Sequence, residues 1–286
     1  MSAAPAVDVS YFPGCSLATT AKENNQSLIE CCRKMGINLI DLSDWNCCGS
    51  SSAHSINHRL AFDLACRNFS LAPPGRPLVA ACPSCTLRLK HAQHRLKNDE
   101  AARERYLQLW GRPFDPDLSI RHFFGLLAEV DLESLPAANG HVRIDLAFAP
   151  YYGCMLNRPH ALRSGSDHYG IMEKTLRGLG LQSLHWAYAS QCCGTFLTVA
   201  RPDIVTPKVN AIMQGAAESG AECLVTACAM CHMNLEVRCT LKNPIPIFHF
   251  SEILSLAFGT SNSRNWFSRH LIDPRPLLKR KGLMSS

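Results

Sequence analysis

The 286-residue chain lacks any uninterrupted apolar run of eighteen residues, which excludes the usual transmembrane helix. Its first stretch, MSAAPAVDVSYFPGC, has neither a basic n-region nor an apolar h-region. It does not read as a secretory leader, so the expected compartment is the cytoplasm. Charged residues are few, at 18%, and no long block of one sign appears. The formal charge of +6 counts every thiol as neutral, so ionised cysteines would lower it, and no nucleic-acid partner is read from it. No C-x2-C-x2-C-x3-C-P ferredoxin run is present, and no G-x-G-x-x-G opens a helix after a strand. The sequence therefore offers no sign of cubane-ferredoxin or dinucleotide chemistry. An apolar fraction of 47% leaves an ordinary globular chain with a substantial core.

Cysteine is what the chain has in excess. Fifteen are present, an odd count, in a compartment where structural disulfides are rare. Metal or redox chemistry is the reading that fits. Two stretches, NCCGS at 46–50 and QCCGT at 191–195, place two thiols side by side. Neighbouring cysteines close too small a ring for a relaxed disulfide, so something outside the chain is expected to hold them.

The cysteines also define an internal repeat. Cys15, Cys47, Cys48, Cys82 and Cys85 follow the pattern C-x31-C-C-x33-C-x2-C. Cys154, Cys192, Cys193, Cys228 and Cys231 follow C-x37-C-C-x34-C-x2-C. The flanks agree: YFPGC with YYGC, and LVAACPSC with LVTACAMC. Two tandem homologous domains are expected, 1–138 and 139–286, joined near LESLPAANGHVR at 132–143, with a basic tail at the end. That tail, with Arg275, Lys279, Arg280 and Lys281, suits either a solvated segment or an acidic partner.

Each half alternates short apolar runs with helical patterns. VDVSYF, NLIDL and PLVAA read as strands, as do RIDLAFAPYY, QSLHW and CLVTA. NQSLIECCRKMG and YGIMEKTLRGLG carry apolar residues at helical steps, and Gly36, Gly178 and Gly180 punctuate their ends. Further helices are expected near 55–70 and 203–219. This alternation predicts an α/β fold with a small parallel sheet flanked by helices in each domain. Every cysteine turn then falls at the carboxyl end of a strand, where open α/β sheets build their sites.

Five thiols per half exceed the four of a structural zinc site or of an ordinary cubane cluster. Either one cysteine per half is spare, or the cofactor is an unusual iron–sulfur assembly. The double motif resembles the cysteine-rich CCG domain of the heterodisulfide reductase B-type subunit family. The phrases RHFFGLLAEV and PIFHFSEILSLAFG are similar to that family too. Beside the first pair, CCGSSSAHS replaces a proline-containing turn of the methanogen proteins.

The resemblance implies one noncubane [4Fe-4S] cluster on Cys15, Cys47, Cys48, Cys82 and Cys85. It implies a second on Cys154, Cys192, Cys193, Cys228 and Cys231. It also implies an oxidoreductase subunit that reduces a disulfide, or oxidises thiols or sulfane sulfur, between the two clusters. Implied partners are a ferredoxin-like two-cubane iron–sulfur subunit and a flavoprotein subunit. A lipoyl group or sulfur-carrier protein is an implied substrate. The other reading is a non-catalytic electron-transfer subunit of a 2-hydroxyacid or related dehydrogenase, with one [4Fe-4S] cluster and one zinc.

Other residues are weighed beside these. CAMCH at 228–232 has the form of a haem c attachment motif, but Cys228 and Cys231 already have places in the repeat. Cys31, Cys32, Cys66, Cys223 and Cys239 read as small buried thiols. His54, His58 and His160 are candidate proton donors to the cleft, against capping or polar roles. Tyr11, Tyr151 and Tyr152 are expected beside the turns, with hydroxyls able to donate to sulfur.

Overall fold

The computed structural model describes residues 7–50, 53–130, 142–156, 169–260 and 263–284. The expected domain boundary at 138/139 and His160 lie outside them.

Two parallel sheets share one topology. Strands β1 (Val7–Phe12), β2 (Ile37–Asp41), β3 (Leu78–Ala80) and β4 (Ile120–His122) lie in the order β2-β1-β3-β4. Strands β5 (Ala147–Tyr151), β6 (Gln182–Ser183), β7 (Cys223–Thr226) and β8 (Ile247–His249) repeat it as β6-β5-β7-β8. The central β3 and β7 are buried throughout. That is why LVA and CLVT read as unbroken apolar runs rather than alternating ones. The chain leaves β1 toward β2 and returns to β3 on its other side. The carboxyl ends of β1 and β3 therefore flank the point where strand order reverses, the usual place for a site.

The helices have local causes. Lys22–Lys34 buries Leu28, Cys31 and Cys32 on one face. The expected helix near 55–70 is two pieces, Ala53–Ile56 and His58–Leu71. Asn57 breaks them because its extended backbone and side chain cap the second, accepting from Leu60 N at 3.0 Å. Both C-x-x-C motifs start helices, Pro83–Asn98 and Ala229–Arg238, in which Cys82 and Cys228 are the N-caps. An additional helix, Glu100–Trp110, belongs to the first half. Pro202–Glu218 follows the second cysteine pair, as expected.

The halves are fused rather than strung together. One buried cluster runs through both sheets and includes Val9, Leu28, Phe124, Phe148, Val225 and Phe250. Phe124 and Phe250 meet edge to face at 4.8 Å. Helix Lys22–Lys34 packs on helix Phe250–Ala257, with Ser27 Oγ and Ser251 Oγ 2.7 Å apart. Trp266 Nε1 donates to Gln26 Oε1 at 3.1 Å. Each half keeps a second core of its own, around Phe69 and Leu89 in one and Val209 and Ile212 in the other. The basic tail is not simply solvated. Arg275–Arg280 is a helix that buries Leu277 and Leu278, and Lys281 Nζ lies 2.8 Å from Glu222.

Candidate metal centre

The six strand ends deliver the ten repeat cysteines. Gly14 precedes Cys15 with φ +71°, and Gly153 precedes Cys154 with φ +66°. A Cβ at Gly14 would lie 2.9 Å from Cys85 Sγ, and one at Gly153 would lie 3.3 Å from Cys231 Sγ. Only glycine lets this turn reverse while the last thiol of the same half sits against it. After β2 and β6 the paired cysteines arrive on turns closed from inside. Gly49 N–H donates to Cys47 Sγ and Gly194 N–H to Cys192 Sγ, each at 3.4 Å. After β3 and β7, Cys85 and Cys231 occupy the first turns of their helices. There the N–H groups of Ser84 and Cys85 favour thiolate at the N-cap Cys82, and that of Cys231 acts the same way on Cys228.

These thiols touch one another. Cys48 Sγ and Cys85 Sγ are 3.3 Å apart, and Cys193 Sγ and Cys231 Sγ are 3.4 Å apart. Cys15 interacts with Cys47, Cys47 with Cys48, and Cys82 with Cys85. Cys154 interacts with Cys192, and Cys228 with Cys231. Across the seam, Cys82 meets Cys228. The two thiol groups therefore adjoin. None of the fifteen cysteines, all of them among the described residues, is in a disulfide. Of the five outside the repeat, Cys31, Cys32, Cys66 and Cys223 are buried as expected, whereas Cys239 is only half-buried.

Crowding governs their protonation. The Cys47 contact, then burial, pushes Cys15 far up; the Cys192 contact and burial do the same to Cys154. Cys193 and Cys228 beside it, together with burial, raise Cys231. Contacts with Cys47 and then Cys85 pull Cys48 down to about 5 against its burial. Cys82 is lowered by Cys228 and Cys85. Thiols packed this closely share protons because neighbouring thiolates repel. Bound metal ions remove that conflict, since a coordinating thiol is deprotonated outright. Five convergent thiols and a glycine cradle per half fit a sulfur-ligated metal group.

The supporting shell differs from the expectation. The tyrosine hydroxyls donate to oxygen rather than to sulfur: Tyr11 to Asn25 Oδ1 at 2.6 Å, Tyr151 to Gln191 O at 2.5 Å, and Tyr152 to the Glu173 carboxylate. Asparagines set the cysteine turns instead. Asn68 Oδ1 accepts from Asn46 N and its Nδ2 donates to Asn46 O, both at 3.1 Å. Asn234 Nδ2 donates to Cys193 O at 2.9 Å. His58 is exposed at a helix start, and His54 is half-buried with its Nδ1 buried and unpartnered.

Two other histidines sit nearer the thiols. His122 Nε2 donates to Ala81 O at 3.1 Å, next to Cys82. His249, fully buried at the matching end of β8, lies within electrostatic range of Cys82. Burial drives its pKa down to about 3, so it is a neutral imidazole. Their signal in sequence is the paired phrase RHFF and FHFS.

The profile of the cysteine-rich domain family CCG matches residues 9–90 and 148–236. Each match contains one five-cysteine group. The chain is 25% identical to the 8-methylmenaquinol:fumarate reductase membrane anchor subunit of Wolinella succinogenes, over 94% of this chain and 99% of that one. It is 26% identical to the B-type subunit of the ferredoxin/F420H2-dependent CoB-CoM heterodisulfide reductase of Methanosarcina acetivorans, over 88% and 90%. A hypothetical protein from Helicobacter pylori shares the fold with a TM-score of 0.72 at 14% identity. That alignment takes in 94% of this chain and spans about half of the other, 53%. Among the described residues no helix is long and apolar enough to cross a membrane.

Proposed function

Because the chain belongs to the cysteine-rich CCG domain family, carried in two tandem copies, we propose that it is the iron–sulfur subunit of a complex that interconverts a disulfide and two thiols. Cys15, Cys47, Cys48, Cys82 and Cys85 would hold one noncubane [4Fe-4S] group, and Cys154, Cys192, Cys193, Cys228 and Cys231 the other. The observation that carries this reading is the Cys82–Cys228 contact, which sets the two thiol groups side by side at the seam. Reducing a disulfide to two thiols takes two electrons and two protons, and two adjoining one-electron centres would supply that electron count.

The chain's own residues shape the site. Cys82, Cys85, Cys228 and Cys231 form a buried floor, while Cys15 and Cys192 are exposed and mark its open side. His249 presents an uncharged ring near Cys82, with Nδ1 engaged by Ser251 Oγ at 2.7 Å. The asparagines hold the paired turns in place. Electrons must pass to other subunits, consistent with relatives that are named as subunits. A two-cubane ferredoxin-like subunit and a flavoprotein are the partners this reading calls for, in the cytoplasm.

The test is iron, acid-labile sulfide and zinc on anaerobically reconstituted protein, with EPR during oxidation beside a thiol. Roughly eight irons per chain and a signal that changes with the thiol are expected. Eight irons with a thiol-blind signal would favour the other reading, a non-catalytic electron-transfer subunit of a 2-hydroxyacid or related dehydrogenase. Half the iron, with zinc in the other half, would sink the paired arrangement.

A further inference from the structure

Beside the second thiol group, and using none of its sulfurs, four ionisable side chains are buried together. His232 and Glu236 stand one turn apart on helix Ala229–Arg238. Glu252 comes from helix Phe250–Ala257, and His270 follows helix Ser263–Phe267. Their side chains are exposed by only 5%, 7%, 0% and 1%. Glu236 Oε1 lies 3.4 Å from His232 Nε2 and 3.1 Å from His270 Nδ1. None of these three atoms has a hydrogen-bond partner of acceptable geometry.

The remaining polar atoms of the same groups are committed elsewhere. His232 Nδ1 faces Asn24 Oδ1 at 3.3 Å. His270 Nε2 donates to Glu252 Oε1 at 3.0 Å. Glu236 Oε2 accepts from Leu271 N at 3.0 Å. Each side chain is thus oriented by an outer hydrogen bond and turns one lone-pair atom inward. A metal-ligating histidine characteristically donates its other ring N–H to a carboxylate or carbonyl, and both imidazoles here follow that pattern. Two ligands about 2.0–2.1 Å from a tetrahedral zinc lie about 3.3–3.4 Å from each other, close to the spacings seen.

Charge points the same way. Two buried carboxylates need two positive charges nearby. A single divalent cation supplies both charges with the rings neutral. His232, Glu252 and His270 can also each offer one ligand atom within 4.8 Å of the other two.

We propose that His232, Glu236 and His270 bind a zinc ion, with Glu252 orienting His270 and balancing the charge. The site would tie the helix after β7, which carries Cys231, to Glu252, just after the neighbouring β8, and to His270 further along the chain. It is a nitrogen/oxygen site, separate from the sulfur sites, and it stands or falls independently of what the thiols carry.

The test uses the full chain, anaerobically loaded with iron, equilibrated with Zn2+ and dialysed. Zinc is counted by mass spectrometry and its neighbours read by zinc K-edge EXAFS. Roughly one tightly held zinc per chain is expected, with a nitrogen/oxygen shell at about 2.0–2.1 Å. Glu236→Gln, which keeps side-chain volume, and His270→Gln should each weaken retention by roughly tenfold or more with iron content unchanged. Wild-type protein without zinc above buffer background overturns the proposal, whatever the variants do. So does a sulfur shell at about 2.3 Å, or a folded Glu236→Gln protein that keeps the same zinc shell.

Discussion

Replacing Gly14 by alanine separates backbone strain from disturbance of the thiol group. Gly14 has φ +71° and Gly36 has φ +72°, so an L-residue pays the same left-handed penalty at both, about 1–2 kcal/mol. At Gly36 a new Cβ meets nothing within 4 Å, whereas at Gly14 it meets Cys85 Sγ at 2.9 Å and Phe12 Cε1 at 3.4 Å. Cys85 is buried and has Cys48 Sγ on another side at 3.3 Å, so the sulfur has little room to retreat. Overpacking of this kind adds about 1–3 kcal/mol. Gly14→Ala should therefore lose about 2–5 kcal/mol where Gly36→Ala loses about 1–2. Gly153→Ala, with its contact at 3.3 Å, should fall between. Denaturant unfolding followed by circular dichroism gives the order, and iron analysis gives its consequence. Gly14→Ala should forfeit the first-half iron, roughly four of eight, while Gly36→Ala keeps it all. Equal stability and equal iron in the two variants would refute the reasoning.

Two further outcomes follow from single contacts. Asn68→Ala strands the Asn46 N–H and C=O that its buried amide now satisfies. It should cost about 1–3 kcal/mol and speed iron release to a chelator from the first half; an unchanged release rate would show that the turn does not need this clamp. Burial works against ionisation of Glu222, but Lys281 and the Ala147 N–H outweigh it and hold the carboxyl below its ordinary 4.5. A depressed carboxylate stabilises the fold above its unfolded pKa and loses that contribution as pH falls through the folded one. The stability gap between wild type and Lys281→Ala should thus be full at neutral pH and close in acid. A gap that widened toward low pH would contradict the pairing.

The repeat is legible in sequence because cysteine and its glycine neighbours recur at matched spacings in both halves, whereas packing positions tolerate substitution. The parallel sheets are legible for a similar reason: LVA and CLVT are apolar through and through, and each ends at a cysteine. β4 and β8 are not. IRH and IFH are three residues long, too short for any period to declare itself, although both stand in phrases that resemble the family. The tyrosine hydroxyls depart from expectation because nearness to a turn does not say which acceptor a hydroxyl finds. Asn25, Gln191 and Glu173 lie 14 to 40 residues away from their partners. The quartet of His232, Glu236, Glu252 and His270 forms no motif. Only its first pair has a regular spacing, and the other two members arrive from separate elements.

The seam between the halves gives the duplication a physical purpose. A single copy would expose Phe124 or Phe250 together with the helix faces around Ser27 and Ser251, now buried against the other copy. Each such ring contributes about 1.5–3 kcal/mol by leaving water, a large share of the roughly 5–15 kcal/mol that holds a domain folded. The same packing brings the ends of β3 and β7 together, and with them Cys82 and Cys228. Stability and the pairing of the two thiol groups thus rest on one interface. A substitution that loosens the shared aromatic core, such as Phe250→Ala, would separate the groups as it destabilises the fold. Under the proposed chemistry, two-electron turnover would then fail before either half lost its own ligands.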